Sequence, residues 1–242
     1  MPSTPLRRRV VVTSSSPPRS CHASVRVRNT AAVLSVALLA GATLSACGSS
    51  SNGLAGDSPS RIVSATAAAM TNASSVRLIG SYQGKSLDLE IFSNGAASGT
   101  MSAGGPSFEL ILLPHGKAYV KASAAFWIAQ KVPAALSSKL GGHWVTIPGG
   151  GSLGFGDLSI RALARSLQQN RGRLTKVGTR TVDGVAAVGV RSSKGGTLFV
   201  PTSGPALPIE LASPSSGTFH FEDWNQLTPP TAPKHPETVP TG

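Results

Sequence analysis

The feature that most constrains the fold is a series of short segments in which apolar and polar residues alternate. Leu87, Leu89 and Ile91 alternate with Asp88 and Glu90, and neighbouring segments show the same period of two. Each segment is bounded by Gly, Asn or Pro, which is typical of an antiparallel meander with one apolar face. Asp183-Gly184 predicts a two-residue hairpin turn. Further strands are predicted at 174–181, 185–192, 197–201, 207–211 and 219–224.

Helical patterns interrupt this series in three places. Ser58 followed by Pro59 is a typical helix start and predicts a helix over 59–70. Two short helical pieces are predicted at 124–131 and 133–140, and a clearly amphipathic helix at 157–168. The order of elements predicts an α+β fold with a large antiparallel sheet. About ten strands with one apolar face will curve, so the helices are expected on the concave face.

The N-terminus has the features of an export signal. Arg26 and Arg28 precede an uncharged, mostly apolar segment over 31–42. Twelve residues in a helix rise only about 18 Å, which is too short for a bilayer core of about 30 Å. Leu44-Ser45-Ala46-Cys47 follows directly and is typical of a bacterial lipobox. Residues 1–46 are therefore predicted to be a lipoprotein signal peptide, and Cys47 the lipidated residue; the alternative is an ordinary secretory signal with a coincidental cysteine.

The remaining boundaries follow from composition. Residues 47–57 are rich in Gly and Ser and are predicted to be a flexible linker that carries the lipid. Residues 58–226 are predicted to form one domain. Residues 227–242 contain five prolines and are predicted to be a disordered tail. These features place the domain at the extracytoplasmic face of the cell membrane, held there by its lipid anchor.

Catalytic and metal-binding patterns are missing from the sequence. It contains no His-Glu-x-x-His and no phosphate-binding loop with its lysine. His115, His143, His220 and His235 are scattered, with no other ligand type at metal spacing. The sequence therefore predicts a protein that is not an enzyme and has no metal or cofactor.

The positive charge of the chain is concentrated at its start. The chain has 22 Lys and Arg against 10 Asp and Glu, a formal charge of +12. Six of the arginines lie in the first 30 residues, and the rest form no cluster interleaved with aromatics. We therefore expect no nucleic-acid partner. Basic residues around the helix at 157–168 form either a solvated face or a contact for anionic lipids or wall polymers.

Several motifs together suggest a family. The lipobox, the Ser/Gly linker and the first helix are followed by Gly116-Lys117-Ala118-Tyr119-Val120-Lys121, His143-Trp144-Val145 and Thr181-Val182-Asp183-Gly184-Val185. Over roughly 58–224 this order resembles the actinobacterial LppX/LprA/LprF/LprG lipoproteins and, more distantly, the LolA/LolB lipoprotein carriers. The resemblance implies a half-barrel sheet whose concave side is closed by helices, and a hydrophobic cavity for acylated lipids or lipoglycans. It also implies carriage of the lipid across the envelope without an enzymatic step, with an envelope transporter as a candidate partner.

The residues leave two hypotheses open. Covering helices rich in Ala can pack tightly, or they can leave an apolar volume that takes acyl chains. In the lipid-binding hypothesis Arg161 and Arg165 meet the lipid headgroup. In the alternative, a scaffold lipoprotein with a solid core binds another envelope component through its loops and tail. The residues predicted to line the lipid pocket are Leu78, Leu87, Leu89, Ile91, Phe108, Leu110 and Leu112, with Phe126 and Trp127 near its mouth.

Overall fold

The computed structural model describes residues 50–82, 84–103, 105–147, 158–169, 171–213 and 217–238. The predicted signal peptide, residues 1–46, and the predicted lipidation site, Cys47, lie outside the described residues. The helices are α1 (Pro59–Thr71), α2 (Ala124–Ala129), α3 (Ala134–Leu140) and α4 (Ile160–Gln169). The strands are β1 (Ser75–Tyr82), β2 (Lys85–Phe92), β3 (Ala97–Ala103), β4 (Phe108–Leu112), β5 (Ala118–Ala122), β6 (Trp144–Ile147), β7 (Leu174–Val182), β8 (Val185–Ser192), β9 (Thr197–Pro201), β10 (Glu210–Ser213), β11 (Gly217–Glu222) and β12 (Glu237–Thr238).

All of the strands described belong to one open, curved sheet. Its order is β12-β6-β5-β4-β3-β2-β1-β11-β10-β9-β8-β7, and every pairing is antiparallel except that of β12 with β6. Asp183 and Gly184 take positive φ values of 48° and 81°, as a tight hairpin turn between β7 and β8 requires. The predicted α+β fold with a large curved antiparallel sheet is confirmed.

The helices pack on one face of this sheet and enclose its core. Ser58 caps α1 by accepting a hydrogen bond from the Arg61 N–H, at 3.4 Å, and Pro59 occupies the first turn. α1 packs against β1, β2, β8 and β9, and α4 lies beside it. α2 and α3 cover β4, β5 and β6. None of the helices in this part of the chain combines the length and apolar character needed to cross a bilayer.

Both ends of the domain differ from what composition predicts. Residues 54–56 form a 3₁₀ turn with Leu54 buried, where the sequence predicts a flexible linker. At the other end, the Leu227 N–H donates to the Ser75 hydroxyl at 3.1 Å, and Glu237–Thr238 pairs with β6 where a disordered tail is predicted. In both places the local composition predicts a flexible segment. Contacts with residues that are distant in the sequence hold that segment in an ordered conformation.

Candidate functional site

A cavity of about 250 Å³ lies between the helices and the second half of the sheet. Val63 and Met70 of α1 and Leu163 and Leu167 of α4 form its helical wall. The remaining lining residues come from β7–β11 and their connections: Leu174, Val190, Ser192, Gly195, Gly196, Leu198, Pro208, Leu211 and Phe221, together with Ser166 and Arg171 at the end of α4. Most of these side chains are aliphatic, so the interior suits an apolar ligand.

Simple periodicity brings these walls together. In α4, Leu163 and Leu167 are four residues apart and therefore lie on one face of the helix. In β8 and β9, Val190 pairs with Leu198, and both point toward the helices. The cavity forms where these faces meet because its walls carry aliphatic, small and polar side chains, with Phe221 as the one aromatic residue among the lining residues described.

A cluster of buried aliphatic side chains closes one end of the cavity. Leu54 is 6% exposed and packs in the same cluster as Ile62, Val188 and Val200. Val188 and Val200 belong to this cluster but not to the cavity lining, whereas Val190 and Leu198 belong to both. The cavity therefore occupies only the part of β8 and β9 near the turn that joins them.

The cavity opens near the turn between β8 and β9, where the lining residues Ser166 and Gly195 are exposed, and three hydrogen bonds hold this turn in place. The Ser192 hydroxyl donates to the Arg171 carbonyl oxygen at 2.6 Å. The Arg173 N–H donates to the Ser193 hydroxyl, and the Ser193 N–H donates to the Arg173 carbonyl oxygen, both at 2.9 Å. The turn between β8 and β9 is thus fastened to the segment that joins α4 to β7.

Three cations belong to the two segments that meet at this opening, and Arg171 is one of the lining residues. Arg171 is half-buried, while Arg173 and Lys194 are exposed. Among the described residues, no carboxylate lies within ion-pair distance of any of the three. The opening is therefore apolar within and positively charged at its rim, an arrangement that suits an amphiphile with an anionic head.

The residues predicted to line a lipid pocket face the helices but do not line this cavity. Leu78, Leu89 and Ile91 are buried beneath α1 and α4, with Leu87 packed against them. Phe108, Leu110 and Trp127 are buried under α2 and α3, with Phe126 beside them. Leu112 is half-buried on the same phase of β4. Whether any of these residues contacts a ligand stays a prediction.

The predicted headgroup arginines lie elsewhere on α4. Arg161 and Arg165 line a separate open depression of about 530 Å³ with Thr71, Ser159 and the turn at Ser93–Gly95. They are four residues apart on one face of α4, whereas Leu163, Ser166 and Leu167, which line the apolar cavity, lie on another face. The basic residues at the opening are instead Arg171, Arg173 and Lys194.

A compositional signal for the cavity was present in the sequence. Between Ile160 and Leu198 the chain contains no Phe, Tyr or Trp. Aromatic rings are the side chains that fill most volume in a core, so a segment without them is a natural place for unfilled space. What the sequence could not show is that this segment faces α1 and β11.

The described residues contain no cluster of three or more His, Cys, Asp or Glu suited to a metal.

Comparison with known proteins rests on structure alone, since no protein-family model and no curated protein matches the chain. The solved structure of LprF from Mycobacterium bovis aligns with a TM-score of 0.52 at 16% identity, covering 72% of this chain and 96% of LprF. The lipoprotein LppX from Mycobacterium tuberculosis aligns at 0.48 and 14% identity, covering 70% and 96%. The complex of MucA and MucB from Pseudomonas aeruginosa aligns at 0.33 and 18% identity, covering 72% and 58%. The chain therefore has the fold of the mycobacterial lipoprotein LprF, and the predicted resemblance is confirmed at the level of the fold.

Proposed function

We propose that the protein is a membrane-anchored envelope lipoprotein that binds an acyl chain of a lipid or lipoglycan in the cavity beside α4 and helps to carry it across the envelope. The observation that carries this proposal is the apolar cavity with a positively charged rim. We propose a role in binding and not in catalysis, because the lining of the cavity is mainly aliphatic. An envelope transporter is the partner expected for such a carrier.

The size of the cavity limits what can enter. An apolar cavity of about 150 Å³ stays dry and accepts a benzene-sized molecule. At about 250 Å³ this cavity is larger, but it lies just below the range of about 300–1,000 Å³ typical of small-molecule sites. Each methylene group that enters contributes about 0.8 kcal/mol. We therefore propose one acyl chain, or part of one, as the occupant of the cavity in this conformation.

The rim indicates how the rest of the ligand is held. An acyl chain in the cavity leaves its head at the opening beside Arg171, Arg173 and Lys194. A phosphate or carboxylate there can pair with guanidinium groups that have no ionic partner among the described residues. This replaces Arg161 and Arg165 as the headgroup contacts in the proposal.

The anchor is the second part of the proposal. Residues 1–46 direct export and are removed, and Cys47 then carries the acylated thioether that holds the protein at the extracytoplasmic face of the membrane. Cleavage also removes Cys21, so Cys47 is the only cysteine of the mature chain. Two or more acyl chains are enough for stable attachment.

Native mass spectrometry of protein purified from its own membranes tests the binding function. Leu167→Trp on α4 fills the cavity, and Leu136→Trp on α3 is the matched control, since both leucines are half-buried on covering helices but only Leu167 lines the cavity. We expect one lipid per protein in the wild type and in L136W, and loss of most of that lipid in L167W.

Two results would contradict the proposal, the first against lipid binding and the second against binding in this cavity. A wild-type protein that repeatedly has the mass of the lipid-free chain would favour the scaffold alternative, in which the core holds no lipid ligand. Retention of lipid by L167W, with melting temperatures that show both variants to be folded, would place the ligand somewhere other than in this cavity.

A further inference from the structure

The segment of chain between the proposed anchor and α1 is fastened to the domain. We name residues 51–57 the N-terminal clasp. Ser51 forms a bridge with Ser203, and the Asn52 N–H donates to the Thr202 carbonyl oxygen at 2.9 Å. The Asn52 side-chain amide donates to the carbonyl oxygens of Pro201 and Gly204, at 2.9 and 3.1 Å. The start of the clasp is therefore fixed beside the end of β9.

The rest of the clasp is held as firmly. The Leu54 side chain is buried in the cluster that closes the cavity. The Lys176 ammonium group donates to the carbonyl oxygens of Ala55 and Asp57, at 2.7 and 3.2 Å. Both ends of the clasp thus have partners, so it is part of the folded domain and not part of the tether.

This leaves a very short tether. Only three residues, Gly48, Ser49 and Ser50, lie between Cys47 and Ser51. The four Cα-to-Cα steps of a fully extended chain therefore span at most about 14 Å. The composition alone predicts a linker more than twice as long, from Cys47 to Asp57. The end of β9 next to Ser51 must therefore stay within about 14 Å of a lipidated Cys47.

The cavity opens at the other end of the same strands. Ala187 pairs with Pro201, and the Thr202 N–H donates to the Ala186 carbonyl oxygen at 2.9 Å, so the start of β8 lies beside the clasp. Ser192, at the opening, is six residues farther along β8, or about 20 Å at about 3.3 Å per residue. Because this distance is longer than the tether of about 14 Å, the domain cannot turn over so that the opening lies on the bilayer.

The turn between β7 and β8 carries an apolar residue suited to the bilayer surface. Val185 directly follows Asp183-Gly184 and is 38% exposed. It is one of three large hydrophobic residues that are exposed in the described part of the chain. Its place next to the clasp puts it at the end of the domain where the tether begins.

We propose that the N-terminal clasp fixes the orientation of the domain on the membrane, with the β7–β8 turn against the bilayer and the opening of the cavity directed away from it. The lipid is then exchanged at the membrane-distal end, with a partner or a second surface and not with the membrane that holds the anchor. This inference rests on the proposed lipidation of Cys47, but not on occupancy of the cavity.

Single labels on the full lipidated protein test this orientation. Because Cys47 is the only mature cysteine and is acylated, Ala186→Cys and Lys194→Cys each introduce one reactive thiol, at exposed positions near the clasp and near the opening. Each variant is labelled with a bimane fluorophore and reconstituted in phosphatidylglycerol/phosphatidylcholine vesicles that carry nitroxide on the lipid headgroup. We expect the label at 186 to lose most of its fluorescence and the label at 194 to keep nearly all of it.

A variant with a longer tether is the matched control. About twelve Gly and Ser residues inserted between Gly48 and Ser49 leave the clasp intact and raise the root-mean-square reach to about 20 Å. The difference in quenching between the two labels should then shrink. An unchanged difference would show that the tether does not set the orientation and would overturn the inference.

Failure of the anchor is distinguishable from failure of this inference. A protein that does not float with the vesicles overturns the lipidation of Cys47 and the orientation with it. A protein that floats while both labels are quenched equally, or the label at 194 more strongly, overturns the orientation alone. The lipid content found by mass spectrometry changes none of these outcomes.

Discussion

The concave side of the sheet has two halves that are packed differently. In the filled half, under α2 and α3, Phe108, Leu110 and Trp127 are each at most 6% exposed. The rings of Phe108 and Phe126 lie 4.9 Å apart, and those of Phe126 and Trp127 lie 5.2 Å apart. In the cavity half, under α1 and α4, aliphatic side chains leave about 250 Å³ unfilled.

The difference shows how aromatic residues should be interpreted in such a domain. Phe108, Phe126 and Trp127 are predicted as contacts for a lipid because they are large and apolar. The same properties let them occupy the volume that a lipid would need. The cavity lies instead beside a segment that has no aromatic residue for nearly forty positions, from Ile160 to Leu198.

The two halves should differ most in how much stability is lost when a leucine is replaced by alanine. Leu110→Ala in the filled half leaves a new cavity around a side chain that is fully buried, and should lower the free energy of unfolding by about 3–4 kcal/mol. Leu167→Ala removes a half-buried side chain that already faces a cavity, and should cost about 1 kcal/mol. Urea unfolding of lipid-free protein measures both. Equal costs would show that the two halves are packed alike.

The outer face of the sheet offers a second contrast. The Glu210 side chain is 8% exposed, and its carboxylate pairs with Arg180. The guanidinium carbon of Arg180 lies 3.8 Å from the centre of the Phe199 ring. Arg180→Met leaves that carboxylate without its partner and should cost about 1–3 kcal/mol. On the outer face of the filled half, Lys121 and Glu109 are 3.1 Å apart and well exposed, so Lys121→Met should cost no more than about 1 kcal/mol.

These two substitutions are compared by thermal unfolding at neutral pH, with the double variants Arg180→Met/Glu210→Gln and Lys121→Met/Glu109→Gln. Most of the loss at Arg180 should be recovered in its double variant, because the glutamine carries no buried charge. If Lys121→Met lowers the melting temperature more than Arg180→Met does, burial of the Glu210 carboxylate does not determine how much each ion pair contributes to stability.

Enlarging a side chain should raise the stability of the protein in the cavity half and lower it in the filled half. Leu163→Phe extends into the cavity and should raise the stability of lipid-free protein by about 0.5–1 kcal/mol. Leu136→Phe extends into the filled half and should lower stability by about 1 kcal/mol. Calorimetric melting temperatures of the two variants check this. A gain at both positions would show that the filled half also contains unused space.

The sequence predicts the sheet well because its signals are local. The alternation of Leu87, Leu89 and Ile91, the turn at Asp183-Gly184 and the helical spacing of Leu163 and Leu167 each need only a few residues. The clasp and the cavity depend on contacts between distant segments, such as Ser51 with Ser203 and Met70 with Phe221. Local patterns contain no information about which segments meet, so neither feature could be placed from the sequence.

The smallest expected effect lies between the halves, at the pair formed by Arg77 of β1 and Asp88 of β2. Two hydrogen bonds of 2.8 Å join the guanidinium to the carboxylate. These hydrogen bonds from Arg77 lower the pKa of Asp88 below its ordinary value, and the charge of Arg77 acts in the same direction. A carboxyl whose pKa is lower in the folded state stabilises the fold above its unfolded pKa of about 3.9, and that contribution is lost as the pH falls through the folded value.

Asp88→Asn should therefore lower stability at pH 6 by no more than about 1 kcal/mol, because both side chains are more than a third exposed. The difference from the wild type should shrink as the pH falls below about 4 and through the lowered pKa of Asp88, because the wild-type carboxyl is then protonated as well. Urea unfolding at several pH values measures it, and 1 M salt should reduce it at pH 6 since an exposed pair is screened. A difference that does not shrink as the pH falls below about 4 would assign the effect to packing of the side chain and not to its charge. A larger effect than that of Leu110→Ala would show that this pair, and not the filled half, stabilises the sheet most.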